Sequence, residues 1–131
     1  ADAIYHNLFY VEETRATDVL ILSGDHVYAM DYRPMLARHR ELKADVTVAV
    51  QPVPWDDASR FGVMTTDDED RVIDFDEKPA QPRSNLASMG VYVFRTEVLL
   101  DVFRRPDSDR SMIDFGHEVI PFLISDGNAF A

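Results

Sequence analysis

The sequence contains no cysteine, which removes both a disulfide framework and a thiolate zinc site and is compatible with a reducing compartment. Cations are scarce as well. Lys and Arg number 13 against 24 Asp and Glu, for a formal net charge of -11. A field of that sign repels phosphate, so neither nucleic acid nor an anionic membrane is an expected partner unless a local cation reverses it. A bound Mg²⁺ would be such a cation. No apolar run approaches membrane-spanning length, and the first residues, ADAIYHNLFYVEE, lack the basic start and small-residue cleavage site of a secretory signal. The expectation is a soluble cytoplasmic protein. Several catalytic signatures are missing too: there is no phosphate-cradling glycine loop and no nucleophile elbow. HEVIP has no second histidine at the zinc-protease spacing, and His6, His26 and His39 make no ligand set with it.

What is present is a chain of 131 residues, 46% hydrophobic, enough for one compact domain with a core. Ile4, Leu8 and Val11 share a helical face up to about Glu13. Residues 19–22 form a continuous aliphatic run, expected as a strand buried on both faces in the manner of parallel sheets. Asp31 can cap a following helix that has Pro34 in its first turn and turns Met35, Leu36, His39 and Leu42 inward. VTVAVQPV is a β-branched strand ending at prolines. FGVMTT and RVIDFDEKP, joined by the acidic DDED, read as a hairpin, and LASMGVYVF is another strand. Thr96 can cap the next helix and Pro106 stop it. DFGHEVIPFLIS starts a last helix containing Pro121, and GNAFA looks like the start of a strand. Strands alternating with helices, with a hairpin among them, define an α/β fold with a mixed sheet.

Five places could carry chemistry. Ligands of open α/β sheets bind beyond the carboxyl ends of the strands, where Gly24, Asp25 and His26 fall. Asp25 is either a hard oxygen ligand for Mg²⁺ or the start of a turn. Glu77 and Lys78 point to opposite faces of a regular strand, so they reach one ligand only if the chain bends at Pro79; otherwise they are a surface ion pair. Together they would suit a phosphorylated sugar, the carboxylate accepting from hydroxyls and the ammonium meeting the phosphate. Ser88 and Gly90 put small residues into an apolar strand, which marks either a close approach or a bulge, and Gly62 reads similarly. Asp114 is a helix cap or a second metal carboxylate.

Taken in order, LILSGDHVYAMDY, FGVM, FDEKP, LASMGVYVF and DFGHEVIP closely resemble blocks of the bacterial glucose-1-phosphate adenylyltransferases, along essentially the whole chain. The resemblance implies a Rossmann-like, glycosyltransferase-A-like nucleotidyltransferase domain, incomplete at both ends. Its glycine-rich loop would lie upstream and its C-terminal β-helix domain downstream, with ADA as the tail of a GTADA block. It implies formation of ADP-glucose and pyrophosphate from ATP and α-D-glucose 1-phosphate, for glycogen or starch synthesis, by a homotetramer when full-length. Asp25 carries over as the catalytic, metal-binding carboxylate and Asp114 as its partner at Mg²⁺. Lys78 would hold the sugar phosphate, while Glu77, Ser88 and the Gly62 backbone would serve the glucose. Ala29 departs from the family, which often has Lys there. Two alternatives stay within the fold: a transferase using UTP or dTTP, and a non-catalytic regulatory subunit, against which the retained Asp25, Glu77, Lys78 and Asp114 argue. A receiver-like domain phosphorylated on Asp25 would need an acidic pair on an earlier strand, which the sequence lacks.

Overall fold

The computed structural model describes residues 2–25, 27–104, 115–125 and 128–131. The chain opens with two short helices, α1 (Asp2–Tyr5) and α2 (Leu8–Thr14), where the apolar spacing predicts one. The interruption falls at Asn7, whose side-chain amide donates to the Ala3 carbonyl at 2.8 Å and so competes with the helical ladder. Ile4 and Leu8 still pack on the core from this segment.

Next come β1 (Asp18–Leu22), α3 (Arg33–Glu41) and β2 (Val46–Pro52). In α3 the inward face is Met35 and His39, both buried. Tyr32 rather than Asp31 sits at the N-cap position, yet Asp31 Oδ1 accepts from the Arg33 N–H at 3.1 Å and does satisfy one of the helix's opening donors. After one turn of helix, α4 (Trp55–Ala58), the expected hairpin forms from β3 (Gly62–Thr66) and β4 (Val72–Glu77). It is followed by β5 (Leu86–Arg95) and α5 (Thr96–Arg104). Thr96 opens α5 but does not cap it through its hydroxyl, which is buried without a hydrogen-bond partner. The start of α5 is tied instead by the backbone, Thr96 N–H donating to the Thr17 carbonyl at 2.9 Å. Pro106, read as the stop of this helix, lies outside the described residues.

A π-helical turn (Phe115–Val119) leads into α6 (Ile120–Ser125). Pro121 is the second residue of α6 but stands inside a continuous helical run from Phe115 to Ser125, where proline offers no N–H to the helical ladder. The wider π turn lies immediately before it. The chain ends in β6 (Ala129–Phe130), the strand foreseen in GNAFA.

Among the described residues these six strands make one mixed sheet, ordered β4-β3-β5-β2-β6, with β1 also on β5. The long β5 organises it. One edge of β5 runs antiparallel to β2, while the other edge changes neighbour: β1 covers residues 91–95 and β3 covers residues 86 and 87. The interval between those neighbours, residues 88–90, is where the candidate site opens.

Among the described residues only β2 with β6 pairs in parallel. The expectation that β1 is buried on both faces is not met, since Leu22 is 42% exposed. β1 runs in the same direction as β2, but β5 stands between them and pairs antiparallel with both, so the parallel-sheet habit read into β1 does not hold. The core lies under the sheet, with Val46, Val48, Met64 and Phe94 meeting Leu99 of α5 and Ile120 and Leu123 of α6. All three helical residues are essentially excluded from solvent. At ~1.5–3 kcal/mol for each large apolar side chain buried, this layer is a large stabilising contribution, and a second cluster joins Met35 of α3 to Val91 and Val93 of β5.

Candidate active site

Asp25 sits on the turn just beyond the carboxyl end of β1, exposed and facing a cleft of about 750 Å³. Ser23, the first residue after the strand, continues the ladder by donating its N–H to the Gly90 carbonyl at 3.1 Å. Its hydroxyl donates to Asp25 Oδ1. Gly24 between them has no left-handed φ, and a Cβ there would meet no protein atom within 4 Å. Nothing in the fold asks for glycine at that point, so open room in front of the turn is what its small size provides. His26 lies outside the described residues.

Across the cleft, Gly62 begins β3 opposite Glu77 of β4. A Cβ on Gly62 would stand 2.6 Å from Phe75 Cζ and 2.7 Å from Glu77 Oε2, distances that real Cβ atoms do not tolerate. Gly62 thus leaves room for the ends of the Phe75 and Glu77 side chains, which any Cβ there would push aside, and it lets the Glu77 carboxylate lie across the β3 backbone.

Glu77 and Lys78 do face the same cleft. The bend that allows it is in Lys78 itself, whose φ is 48°, with its N–H donating to the Phe61 carbonyl at 3.1 Å. A side-chain-bearing residue in the left-handed region, and one preceding proline, stores on the order of 1–3 kcal/mol of strain. Lys78 Nζ lies 3.5 Å from Glu77 Oε1, so carboxylate and ammonium are presented as one polar edge.

Ser88 completes the wall from β5, its hydroxyl accepting from the Gly90 N–H at 3.4 Å. Gly90 has φ of 66°, and the pairing with β2 shifts register between Val48 and Val50, opposite Ser88 to Tyr92, so the bulge reading of this small-residue stretch is met. The floor is aromatic: Phe75, Tyr92 and Phe115 line the cleft, with the Tyr92 and Phe115 rings stacked at 5.2 Å between centroids. These aromatic residues and Ser23 escaped the sequence reading. The signal for Phe75 was its two-residue spacing from Glu77, which puts both on one face of a strand. Asp114 lies outside the described residues, although Phe115 and Gly116, next in sequence, line the same cleft.

The structure thus brings together Asp25, Gly62, Glu77, Lys78 and Ser88. Among the described residues no group of three His, Asp or Glu side chains forms a ready-made metal cage. A somewhat larger cleft of about 850 Å³ opens at the opposite end of β1 and holds none of these five residues. Its cations are largely committed to the protein: Arg40 to Asp18 at 2.8 Å, Arg95 to Asp45 at 3.3 Å, and Arg104 to Glu12. Chemistry rather than size selects the smaller cleft.

A mixed α/β sheet with a polar cleft where β1 ends and β5 changes neighbours is the form of a nucleotidyltransferase domain, and the family model described as Nucleotidyl transferase matches residues 1–131. The chain belongs to that family. It is 63% identical over 125 residues, 95% of its length, to the glucose-1-phosphate adenylyltransferase of Thermomicrobium roseum. It is 50% identical over 131 residues, 97% of its length, to proteins of the same name from Bacillus mycoides and Bacillus thuringiensis. The resemblance drawn from the five sequence blocks is borne out. The chain spans 29% and 34% of the length of the first two relatives, about a third in each case.

Proposed function

We propose that the full-length protein carrying this segment forms ADP-glucose and pyrophosphate from ATP and α-D-glucose 1-phosphate, supplying the glucosyl donor for glycogen or starch synthesis in the cytoplasm. In this reading the segment contributes the sugar-phosphate half of the site and one carboxylate of the metal half. The observation that carries it is the convergence of Asp25, Gly62, Glu77, Lys78 and Ser88 on one cleft, although they come from separate strands and turns. The names and identity of the relatives support the same assignment.

The residues divide the work by chemistry. Lys78, at the exposed end of the polar edge, meets the dianionic phosphate with a charge-assisted contact. Glu77 accepts from glucose hydroxyls, Ser88 donates or accepts beside it, and the Gly62 backbone sets how close the sugar approaches. A phosphate oxygen of the sugar attacks the α-phosphorus of ATP, a new P–O bond forms, the α–β bond breaks and pyrophosphate leaves. No side-chain nucleophile is needed, so these residues act by positioning and charge.

Mg²⁺ usually takes one or two carboxylates plus substrate phosphates rather than an all-protein cage. An exposed Asp25 lining the cleft, with no three-ligand cluster among the described residues, fits that mode. When bound, the ion supplies charge neutralisation at the triphosphate. Asp25 would hold it, with Asp114 proposed as its partner. Substrates are accordingly small molecules, and the full-length protein is proposed to be a homotetramer.

The test is to assay the purified full-length protein with glucose 1-phosphate, Mg²⁺ and each of ATP, UTP and dTTP, measuring pyrophosphate and the sugar nucleotide. ATP should be used at least tenfold better in kcat/KM. A preference for UTP or dTTP would move the assignment to another sugar nucleotidyltransferase, and no turnover with any of them would favour a regulatory subunit.

A further inference from the structure

Asp25 is exposed on a turn, where a short carboxylate ordinarily samples several rotamers. Here the turn is fastened at two points to the same stretch of β5. On one side Ser23 N–H donates to the Gly90 carbonyl at 3.1 Å. On the other, Tyr28 Oη donates to the Met89 carbonyl at 2.9 Å. Between these anchors the Ser23 hydroxyl donates to Asp25 Oδ1. Gly90 suits the arrangement chiefly by its φ of 66°, which a side-chain-bearing residue adopts only with strain; a Cβ there would also press on Ser23 Cβ at 3.3 Å while making ordinary contact with Tyr28 Oη at 3.5 Å.

We infer that Ser23 is a positioning residue for Asp25: its hydroxyl fixes the plane of the carboxylate toward the cleft, and the Gly90 carbonyl holds the Ser23 backbone in place. The inference rests on the function proposed above, with Asp25 as the carboxylate that receives the divalent cation. A hydroxyl donating to an ionised carboxylate is a charge-assisted bond, stronger than a neutral one, and it orients the acceptor before the cation arrives. The same β5 backbone also joins the two halves of the site, since Gly90 N–H donates to Ser88 Oγ at 3.4 Å. The carboxylate for the metal and the hydroxyl for the sugar are thus set by one short segment of backbone.

The experiment uses the full-length protein as wild type, Ser23→Ala, Ser23→Cys and Ser23→Thr. Mn²⁺ binding is measured by electron paramagnetic resonance of the free ion in the presence of a non-hydrolysable ATP analogue, beside kcat, KM for glucose 1-phosphate and the unfolding temperature. Loss of a hydrogen bond that orients a metal ligand typically costs about 10-fold or more in metal affinity or activity. Ser23→Ala should therefore weaken Mn²⁺ about 10-fold and lower kcat, with KM for the sugar phosphate within about twofold. Ser23→Cys, close to serine in size but a weak donor, should match it at an unchanged unfolding temperature, and Ser23→Thr should recover most of the affinity. A wild type that makes ADP-glucose while Ser23→Ala and Ser23→Cys keep its Mn²⁺ affinity and kcat would overturn this inference alone. A wild type that neither binds Mn²⁺ nor turns over would overturn the proposed function with it.

Discussion

Lys78 holds a left-handed backbone conformation directly before a proline, and that is the feature of the cleft least expected from composition. An L-residue there costs roughly 1–2 kcal/mol relative to its right-handed form, a cost glycine would avoid. Lys78→Gly should therefore unfold at a higher temperature than Lys78→Ala, by the equivalent of about 1 kcal/mol. Both should raise the KM for glucose 1-phosphate by roughly 10–100-fold, the range of a lost charge-assisted contact of ~1.5–3 kcal/mol, with KM for ATP little changed. Unaltered sugar-phosphate kinetics in both variants would retire the role given to Lys78. Asp25→Asn keeps the shape of the side chain and removes its charge, so its effect should appear chiefly in kcat, by about 100-fold or more, as for a contact that counts most in the transition state. Glu77 and Lys78 were legible as a pair of the right chemistry. Their convergence was not, because a regular strand sends neighbours to opposite faces and only the φ of Lys78 undoes that.

At the scale of elements, β2, the β3–β4 hairpin and β5 follow from β-branched runs bounded by proline and acidic turns, and all stand where those signals put them. The neighbours of β1 do not follow. A continuous aliphatic run is common to parallel strands and to strands packed for other reasons, and the pairing that decided the matter is with β5, some 70 residues away in sequence. Within the hairpin, Gly62→Ala should cost about 1–3 kcal/mol from overpacking against Phe75. It should also raise the sugar-phosphate KM, since Glu77 must move; an unfolding temperature equal to wild type would show that the hairpin yields more easily than its geometry implies. Helix α3 carries a different test. His39 is 2% exposed, with Nδ1 2.8 Å from Thr47 Oγ1. Burial, above all, lowers its pKa, opposed by Asp18 and Asp45 and reinforced by Arg95 and Arg40. The unfolded chain therefore binds a proton first as pH falls below the ordinary histidine value. The stability associated with neutral His39 is complete above about pH 6.5 and is lost as pH drops toward its lowered native pKa. Between pH 7.5 and 5.5, His39→Gln should show a shallower loss of stability than wild type in urea titrations, and parallel curves would assign the acid sensitivity elsewhere.

For the whole molecule, charge and surface decide what the 131-residue chain does by itself. Its net charge of -11 leaves ATP to be attracted by local cations, and Lys78 and Arg60 are the cationic residues lining the cleft among those described. Arg60 is already 3.2 Å from Asp57. Triphosphates are commonly cradled by successive backbone N–H groups in a glycine-rich loop, and this sequence contains no such loop. The chain expressed alone is therefore expected to release no pyrophosphate from ATP, Mg²⁺ and glucose 1-phosphate, while retaining weak binding of the sugar phosphate through Lys78 and Glu77. It should also self-associate. Tyr5, Phe9 and Tyr10 are each more than half exposed along α1 and α2, and large apolar side chains gathered on one short segment offer a surface for a second copy. Light scattering should give a mass above that of one chain, rising with salt because repulsion among the acids is screened. Calorimetry with glucose 1-phosphate and a pyrophosphate-release assay on the same preparation separate the two halves of the site. Binding without turnover is the expected result, and sustained turnover by the isolated chain would mean that these 131 residues hold a triphosphate site of their own.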